Sequence, residues 1–561
     1  MLTRRPVQLN GAVTSALVDQ LRADLGAAHY SVSALTGLWG SEADAALRRN
    51  QRVPAQRALE ALRVRLGRAE SSATLAQLFV LGLPVSRADL AAALPALGVS
   101  GAQALGLVAD EAPADAPGTA VPADAPATAT ETGTGAGGPG TPEAAALLRP
   151  LIEMRPYSFV DEHGAGSWWI ASDLGELALG RALGETHVLG VGGASLTLSG
   201  LLIPARVATA LDLGTGCGIQ AMHAARHADR VVATDISVRA LELAAFNAEL
   251  NGILNIEFRL GSLFEPVAGE RFDHIISNPP FVITPRTEGV PSYEYRDGGM
   301  VGDALVEAVV RGAAEHLTPG GIAQLLGNWE YRTDQDAFSR LDHWLDAPAS
   351  PAPAPALDAW IIEREVQSPA LYAETWIRDG GTRPGTADFD RLYGAWLDDF
   401  EARGVSQVGF GYMLLRRPAR AETALRRLER LPGALGHNPA GIGSHLAACL
   451  AAHDAQAATD DAGLSRTRLT VASDVTEERH YWPGQEDPTL MTLHQGGGFG
   501  RSVSLDTALA ALVGACDGDL DVGSIVAALA ELLDADEGDL AAELLPSVRG
   551  LIDDGFLLPS D

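Results

Sequence analysis

From residue 206 onward, short apolar runs alternate with amphipathic ones, and that alternation admits few architectures. Strand-like stretches read VATALDLG, RVVATDIS, IEFRLGS, FDHIISNP, GIAQLLGNW, AWIIEREV and GYMLLRRP. Helical stretches such as RALELAAFNAEL and GDALVEAVVRGAAEHL lie between them. Strands alternating with helices predict an α/β fold: a mainly parallel sheet of seven strands with helices on both faces.

The rest of the 561 residues exceeds what one core can organise. Residues 1–110 show helical spacing of Leu, Val and Ala, and LPVSRADLAAALPALG adds a Ser N-cap signal that fits a winged helix. Residues 111–142 are Pro, Ala, Thr and Gly with little to bury, which predicts a disordered linker that separates the N-terminal domain from the rest. Residues 143–205 read as a β-rich lead-in through YSFVDEHG, SWWIASD, THVLGVG and SLTLSGLLIP. The α/β domain spans 206–420. A connector follows over 421–500, with ETALRRLERLPGAL expected as helix and SRTRLTVASDV as strand. Residues 501–561 are acidic and helical, and end in an expected terminal hairpin of winged-helix type.

The net charge of −31 argues against a protein that coats nucleic acid, since phosphate binding draws on Lys and Arg. The chain contains no lysine, which excludes Schiff-base chemistry and a P-loop lysine. Cys217, Cys449 and Cys516 lie far apart without metal-ligand spacing, so a reducing cytoplasm is expected. Asn10, Asp19 and Gln20 break any apolar run near the N-terminus, which predicts neither signal peptide nor membrane span.

Two places carry chemistry. LDLGTGCGIQ (211–220) is a strand running into a glycine turn and a helix, where Gly214, Gly216 and Gly218 let a ligand approach the backbone. Asp235 ends the next strand, positioned to accept ribose hydroxyls. Alone, this pattern also fits a dinucleotide dehydrogenase. The second place is ISNPPF, where Asn278, Pro279, Pro280 and Phe281 form a rigid corner at a strand end.

In this order, Asp212 to Gly218, Asp235 and Asn278-Pro279-Pro280-Phe281 resemble the class I S-adenosylmethionine-dependent methyltransferases. They are most similar to the group that methylates planar nitrogens, which includes release-factor glutamine methyltransferases and rRNA amino-group methyltransferases. The resemblance covers about residues 200–420. It implies S-adenosylmethionine as cofactor, with Asp212, Gly214, Thr215, Gly216 and Gly218 beside its methionine part. It further implies Asp235 on the ribose, Ile236 on the adenine face, Ser262 and Leu263 at the adenine edge, and Asn278 at the reacting end. Ser262 stands where the family has an acidic residue, so it brings a hydroxyl without charge. Phe264 is expected to pack on the adenine ring.

The corner's chemistry follows from the nucleophile. An amide or exocyclic amino nitrogen shares its lone pair with a π system. The Asn278 side-chain oxygen and the Pro279 carbonyl can each accept one N–H, turning the lone pair toward the methyl, while Phe281 lies against the planar group. Tyr295, Arg296 and Trp169 are candidate acceptor contacts. His223 and His227 lie four apart on a helix without a third ligand, so no metal is expected, and His437, Asn438 and His445 read as a structural turn.

Two Arg-rich stretches stand out. One holds Arg48, Arg49, Arg52, Arg57, Arg63, Arg65 and Arg68; the other holds Arg416, Arg417, Arg420, Arg426, Arg427 and Arg430. Each is either a phosphate-tracking patch or a solvated or docking face. The expected partner is a macromolecular methyl acceptor, protein in preference to RNA, with nucleic-acid contact through Arg48, Arg49, Arg52 and Arg57. A donor-binding scaffold without transfer is the third reading.

Overall fold

A computed structural model describes residues 11–111, 146–180, 183–346, 357–419 and 425–560. Its central sheet has eight strands: β1 (Val207–Leu213), β2 (Ala228–Asp235), β3 (Ile256–Leu260), β4 (Phe272–Ser277), β5 (Leu317–Arg332), β6 (Asp358–Gln367), β7 (Val405–Arg416) and β8 (Arg426–Arg430). Their order is β3-β2-β1-β4-β5-β7-β6-β8. Neighbours run parallel except where β7 lies antiparallel to β5 and β6. Ala210, Val231, Ala233 and Ile276 face one core, and Leu211, Val232 and Ile275 face the other. That two-sided burial is why these strands read as near-continuous apolar runs. Helices α1 (Ile219–Ala224), α2 (Val238–Leu250) and α3 (Ala304–His316) connect β1 to β2, β2 to β3 and β4 to β5. The order reverses between β1 and β4, so their carboxyl ends open a crevice.

All seven expected strands are present, and the eighth corrects the helical reading of ETALRRLERLPGAL. Leu425, Leu428 and Leu431 fall three apart, a spacing that imitates a helix. The free edge of β6 captures the segment instead, with Ala359 to Glu363 paired to Arg426 to Arg430. The strand's period of two sends Leu428 onto the core and Arg427 and Glu429 to the opposite side.

Other corrections concern the flanks. The segment expected as an interdomain linker lies, apart from Glu111, outside the described residues. The strand that follows it, Leu147–Pro150, pairs with Val85–Ser86 and with Val108–Asp110. The segment therefore joins two neighbouring strands of one N-terminal sheet and does not separate two domains. The strand-like YSFVDEHG and SWWIASD lie in Ile152–Asp161 and Gly164–Asp173, which pair as a hairpin. THVLGVG forms no strand, and SLTLSGLLIP supplies the helix Gly193–Leu201, which buries Leu198 and Leu201. The final strand, Leu557–Pro559, closes no local hairpin; it pairs with Arg468–Val471 from the connector.

Both end modules share one element order. Ser71–Phe79, Val85–Ser86, Arg87–Ala93, Gly98–Ala104 and Val108–Asp110 give helix, strand, helix, helix, strand. Thr507–Gly514, Asp517–Asp521, Val522–Leu533, Glu537–Asp553 and Leu557–Pro559 repeat it. In each, the middle strand of a three-stranded sheet comes from outside that run. The N-terminal module is tied to the sheet domain by Arg22 Nε donating to the Leu250 carbonyl at 2.8 Å, and to the hairpin by Tyr30 Oη donating to the Met154 carbonyl at 2.9 Å. Among the described residues, no helix is long and apolar enough to cross a membrane.

Candidate active site

The turn after β1 has Gly214, Gly216 and Gly218 at positive φ. At Gly218 a Cβ would meet Ala244 Cβ at 2.9 Å, so this glycine lets α2 approach the turn. At Gly216, φ is +55° and no protein atom lies within 4 Å of where a Cβ would stand. Asp212 is buried. Its Oδ2 accepts from Thr215 Oγ1 at 2.6 Å and from the Ala221 amide at 2.8 Å, while Oδ1 is buried without a partner. Burial pushes its carboxyl up to about 7, against the pull of those two hydrogen bonds. At the end of β2, Asp235 Oδ2 accepts the Gly216 amide at 2.9 Å and Oδ1 accepts the Ser237 amide at 2.8 Å. Burial raises its carboxyl too. Ile236 beside it is 58% exposed.

Sequence reasoning missed Asn247 on α2. Its Nδ2 donates to the carbonyls of Cys217 at 2.8 Å and Ala171 at 2.9 Å, and its Oδ1 accepts the Ala171 amide at 2.7 Å. An Asn inside the last turn of a helix, one strand–helix unit after a glycine turn, was the available signal. After β3, Ser262 is exposed and Leu263 has φ of +44°. Phe264 is buried and stacks on His316 with centroids 4.4 Å apart, so it belongs to the core and not to the adenine side.

β4 ends at Ser277, whose Oγ donates to the Leu213 carbonyl at 2.8 Å and locks the two strand ends together. Asn278 follows, half-buried, with Oδ1 buried and unpartnered. Pro279 is buried, Pro280 is half-buried, and the half-buried Phe281 ring lies 5.6 Å from that of Phe410. The chain then returns: Phe281 forms an antiparallel bridge with Asp297, and the Val282 amide donates to the Arg296 carbonyl at 2.8 Å. The Ile283 amide donates to Tyr372 Oη at 3.0 Å, and Asn328 Nδ2 donates to the same oxygen.

The three candidate acceptor contacts fare differently. Trp169 is corrected: its indole donates to the Tyr30 carbonyl at 2.6 Å, and its backbone pairs with Asn251, which places it at the junction with the N-terminal module. Arg296 is corrected as well. It is buried, ion-paired with Asp379 at 3.2 Å and stacked over Tyr293 at 4.4 Å. Tyr295 stays near the corner, with its hydroxyl buried and unpartnered and its ring 6.0 Å from that of His187; burial pushes its phenol up to about 12.

Four arginines of the second Arg-rich stretch are held in ion pairs within the chain. Arg416 pairs with Asp358 and Asp454, Arg426 with Asp342 and Asp346, Arg427 with Asp554, and Arg430 with Asp336 and Glu363. Arg420 lies outside the described residues. In the first stretch, Arg52 donates to the Leu81 and Leu177 carbonyls and Arg48 pairs with Asp44. Arg49, Arg57, Arg65 and Arg68 are exposed and make no ion pair with described residues. His223 contacts Tyr157 Oη at 3.0 Å and His227 contacts His274 at 3.0 Å, and burial lowers both imidazoles to about 4. Asn438 bonds both the Gly498 amide and carbonyl, the work of a structural turn.

A sheet of this order, with a glycine turn after β1, a carboxylate ending β2 and an Asn-Pro-Pro corner after β4, defines the class I methyltransferase fold. Residues 192–341 match the family model described as methyltransferase small domain, and the chain belongs to that family. Residues 27–118 and 450–559 match two domains of unknown function, DUF7059 and DUF7782. The ribosomal protein uL3 glutamine methyltransferase of Bradyrhizobium diazoefficiens is 36% identical over 37% of this chain and 66% of its own length. The release factor glutamine methyltransferase of Xylella fastidiosa is 41% identical over 21% of this chain and 46% of its own. The ribosomal RNA small subunit methyltransferase C of Salmonella newport is 30% identical over 29% of this chain and 43% of its own. The chain thus spans between 43% and 66% of the length of these relatives.

S-adenosylmethionine is the methyl donor of this family. The β1 turn fits it: open space beside Gly214 and Gly216, a carboxylate at the end of β2, and an exposed apolar side chain next to that carboxylate.

Proposed function

We propose that this chain is an S-adenosylmethionine-dependent N-methyltransferase whose acceptor is a planar nitrogen, first a glutamine side-chain amide in a protein. The observation that carries the reading is Asn278 Oδ1. It is a buried acceptor without a partner, one strand away from the glycine turn. A buried amide oxygen is normally satisfied, and one left open at a strand end is poised for a ligand donor.

Asp235 accepts the ribose hydroxyls, Asp212 with Thr215 fixes the glycine turn, and Ile236, Ser262 and Leu263 border the adenine. Bound S-adenosylmethionine supplies an electrophilic methyl on a sulfonium. Asn278 Oδ1 and the Pro279 carbonyl each accept one acceptor N–H, and the Phe281 ring sets the tilt of the planar group. Catalysis by this chain is orientation plus fixed dipoles. The net charge of −31 favours a protein acceptor, as do the two glutamine-methylating relatives. We read both end modules as winged-helix units that hold this macromolecule.

The exposed, unpaired Arg49, Arg57, Arg65 and Arg68 favour a second reading, an amino group in RNA. The test is label transfer from methyl-labelled donor into an extract of the host lacking the gene. Label lost to protease supports the amide reading, and label lost to ribonuclease supports RNA. Donor binding without transfer to either leaves a scaffold, the reading that Ser262 favours.

A further inference from the structure

The bridge between Phe281 and Asp297 decides which side chain of the returning segment shares the aromatic's side. Residues directly opposite in an antiparallel bridge project to the same side, and their chain neighbours project to the other. Arg296 accordingly turns away, toward Asp379 and Tyr293. Asp297 turns with Phe281. Its side chain is 0% exposed. Arg286 and the Gly299 amide both engage Oδ1. Oδ2 is buried and has no hydrogen-bond partner. A carboxylate oxygen withdrawn from water without a donor is destabilising, and such oxygens are rare outside sites that await one. Asn278 Oδ1, three residues before Phe281, is in the same state. One open acceptor thus lies on the corner and the other on the residue bridged to its aromatic, and such a pair suits a planar group with N–H donors.

We propose, resting on the N-methyltransferase reading above, that Asp297 is a catalytic residue: once methylation makes the acceptor nitrogen cationic, its Oδ2 takes over one of the two N–H groups held by Asn278 Oδ1 and the Pro279 carbonyl and receives that proton. Methylation forms the N–C bond as the donor's S–C bond breaks, and the nitrogen becomes cationic. The N–H electrons return to nitrogen as the proton moves to Asp297 Oδ2. This leaves a neutral N-methyl product and a carboxylic acid that gives the proton to water after release. A carboxylate facing a nitrogen that gains positive charge also stabilises the transition state directly.

Asp297→Asn keeps the side chain's size and removes the charge, and with it the ion pair to Arg286. Arg286→Gln removes the same ion pair and leaves the carboxylate. The experiment is single-turnover transfer of labelled methyl from S-adenosylmethionine into the host extract lacking the gene, run on both variants beside donor titration and thermal melting. The expected result is a loss of transfer on the order of 10²-fold or more for Asp297→Asn with donor affinity at the wild-type value, while Arg286→Gln lowers the melting temperature comparably and keeps most of the transfer. Wild-type transfer by Asp297→Asn overturns the proposal. So does an equal loss of transfer in Arg286→Gln, or a fall in donor affinity, which would assign Asp297 to loop structure. If the wild-type chain binds donor and transfers nothing, the N-methyltransferase reading fails first and this proposal falls with it.

Discussion

Asp235 reaches over to the Gly216 amide: the carboxylate ending β2 holds the turn that follows β1, at 2.9 Å. One residue therefore shapes the turn and, in the function proposed above, also accepts the ribose hydroxyls. Asp235→Asn loses the charged acceptor for the hydroxyls, and hydrogen bonds to charged groups contribute about 1.5–3 kcal/mol. Affinity for S-adenosylmethionine is expected to fall about 10- to 100-fold, read by calorimetric titration.

Asn278→Ala removes the open acceptor of the corner and touches nothing at the glycine turn. Turnover is expected to fall on the order of 10²–10³-fold with donor affinity unchanged. A variant with wild-type turnover would remove the corner from the mechanism.

Burial holds the Asp212 carboxyl at about 7 in the folded chain, against 3.8 for an ordinary one. The folded form binds more protons than the unfolded form between those values. Stability from this group is therefore present at low pH, lost as pH rises from about 4 to about 7, and level above that. Asp212→Asn abolishes the slope. Its melting temperature is expected to gain on the wild type between about pH 5 and about pH 8, by an amount equivalent to a few kcal/mol.

The N-terminal sheet predicts a deletion that should be tolerated. Asp110 pairs with Leu148, and the Glu111 amide donates to the Leu147 carbonyl, so the two strands already lie side by side. Replacing residues 113–144 with a short Asn-Gly loop should leave stability within about 1 kcal/mol of wild type, since loop length enters closure entropy only logarithmically. A chain begun at residue 151 loses all three strands of that sheet and uncovers the hairpin and α2 surfaces on which the N-terminal module packs, and it is expected to aggregate on purification.

The seven strands of the sheet were legible because burial on both faces writes uninterrupted apolar runs, and glycine or proline marks their ends. β8 was not, because Leu425, Leu428 and Leu431 imitate a helix and only the unfilled edge of β6 overrules them. The glycine turn, Asp235 and the Asn278 corner could be read because each needs a particular residue type at a strand end. Arg296 and Trp169 were misassigned for one reason: nearness in sequence says nothing about which side of a ribbon a side chain takes. Asp297, one position beyond Arg296, needed the register of a single bridge. The proline-rich segment's composition offers little to bury, and it holds no record of which strands the segment joins.

The last turn of α2 carries two grips three residues apart. Asn247 clasps the Cys217 carbonyl of the glycine turn, and Arg22 of the N-terminal module clasps the Leu250 carbonyl. The donor cradle and the far module thus share one mechanical anchor. On the reading that the N-terminal module holds the acceptor, a load on that module reaches the floor of the donor cradle through one turn of helix.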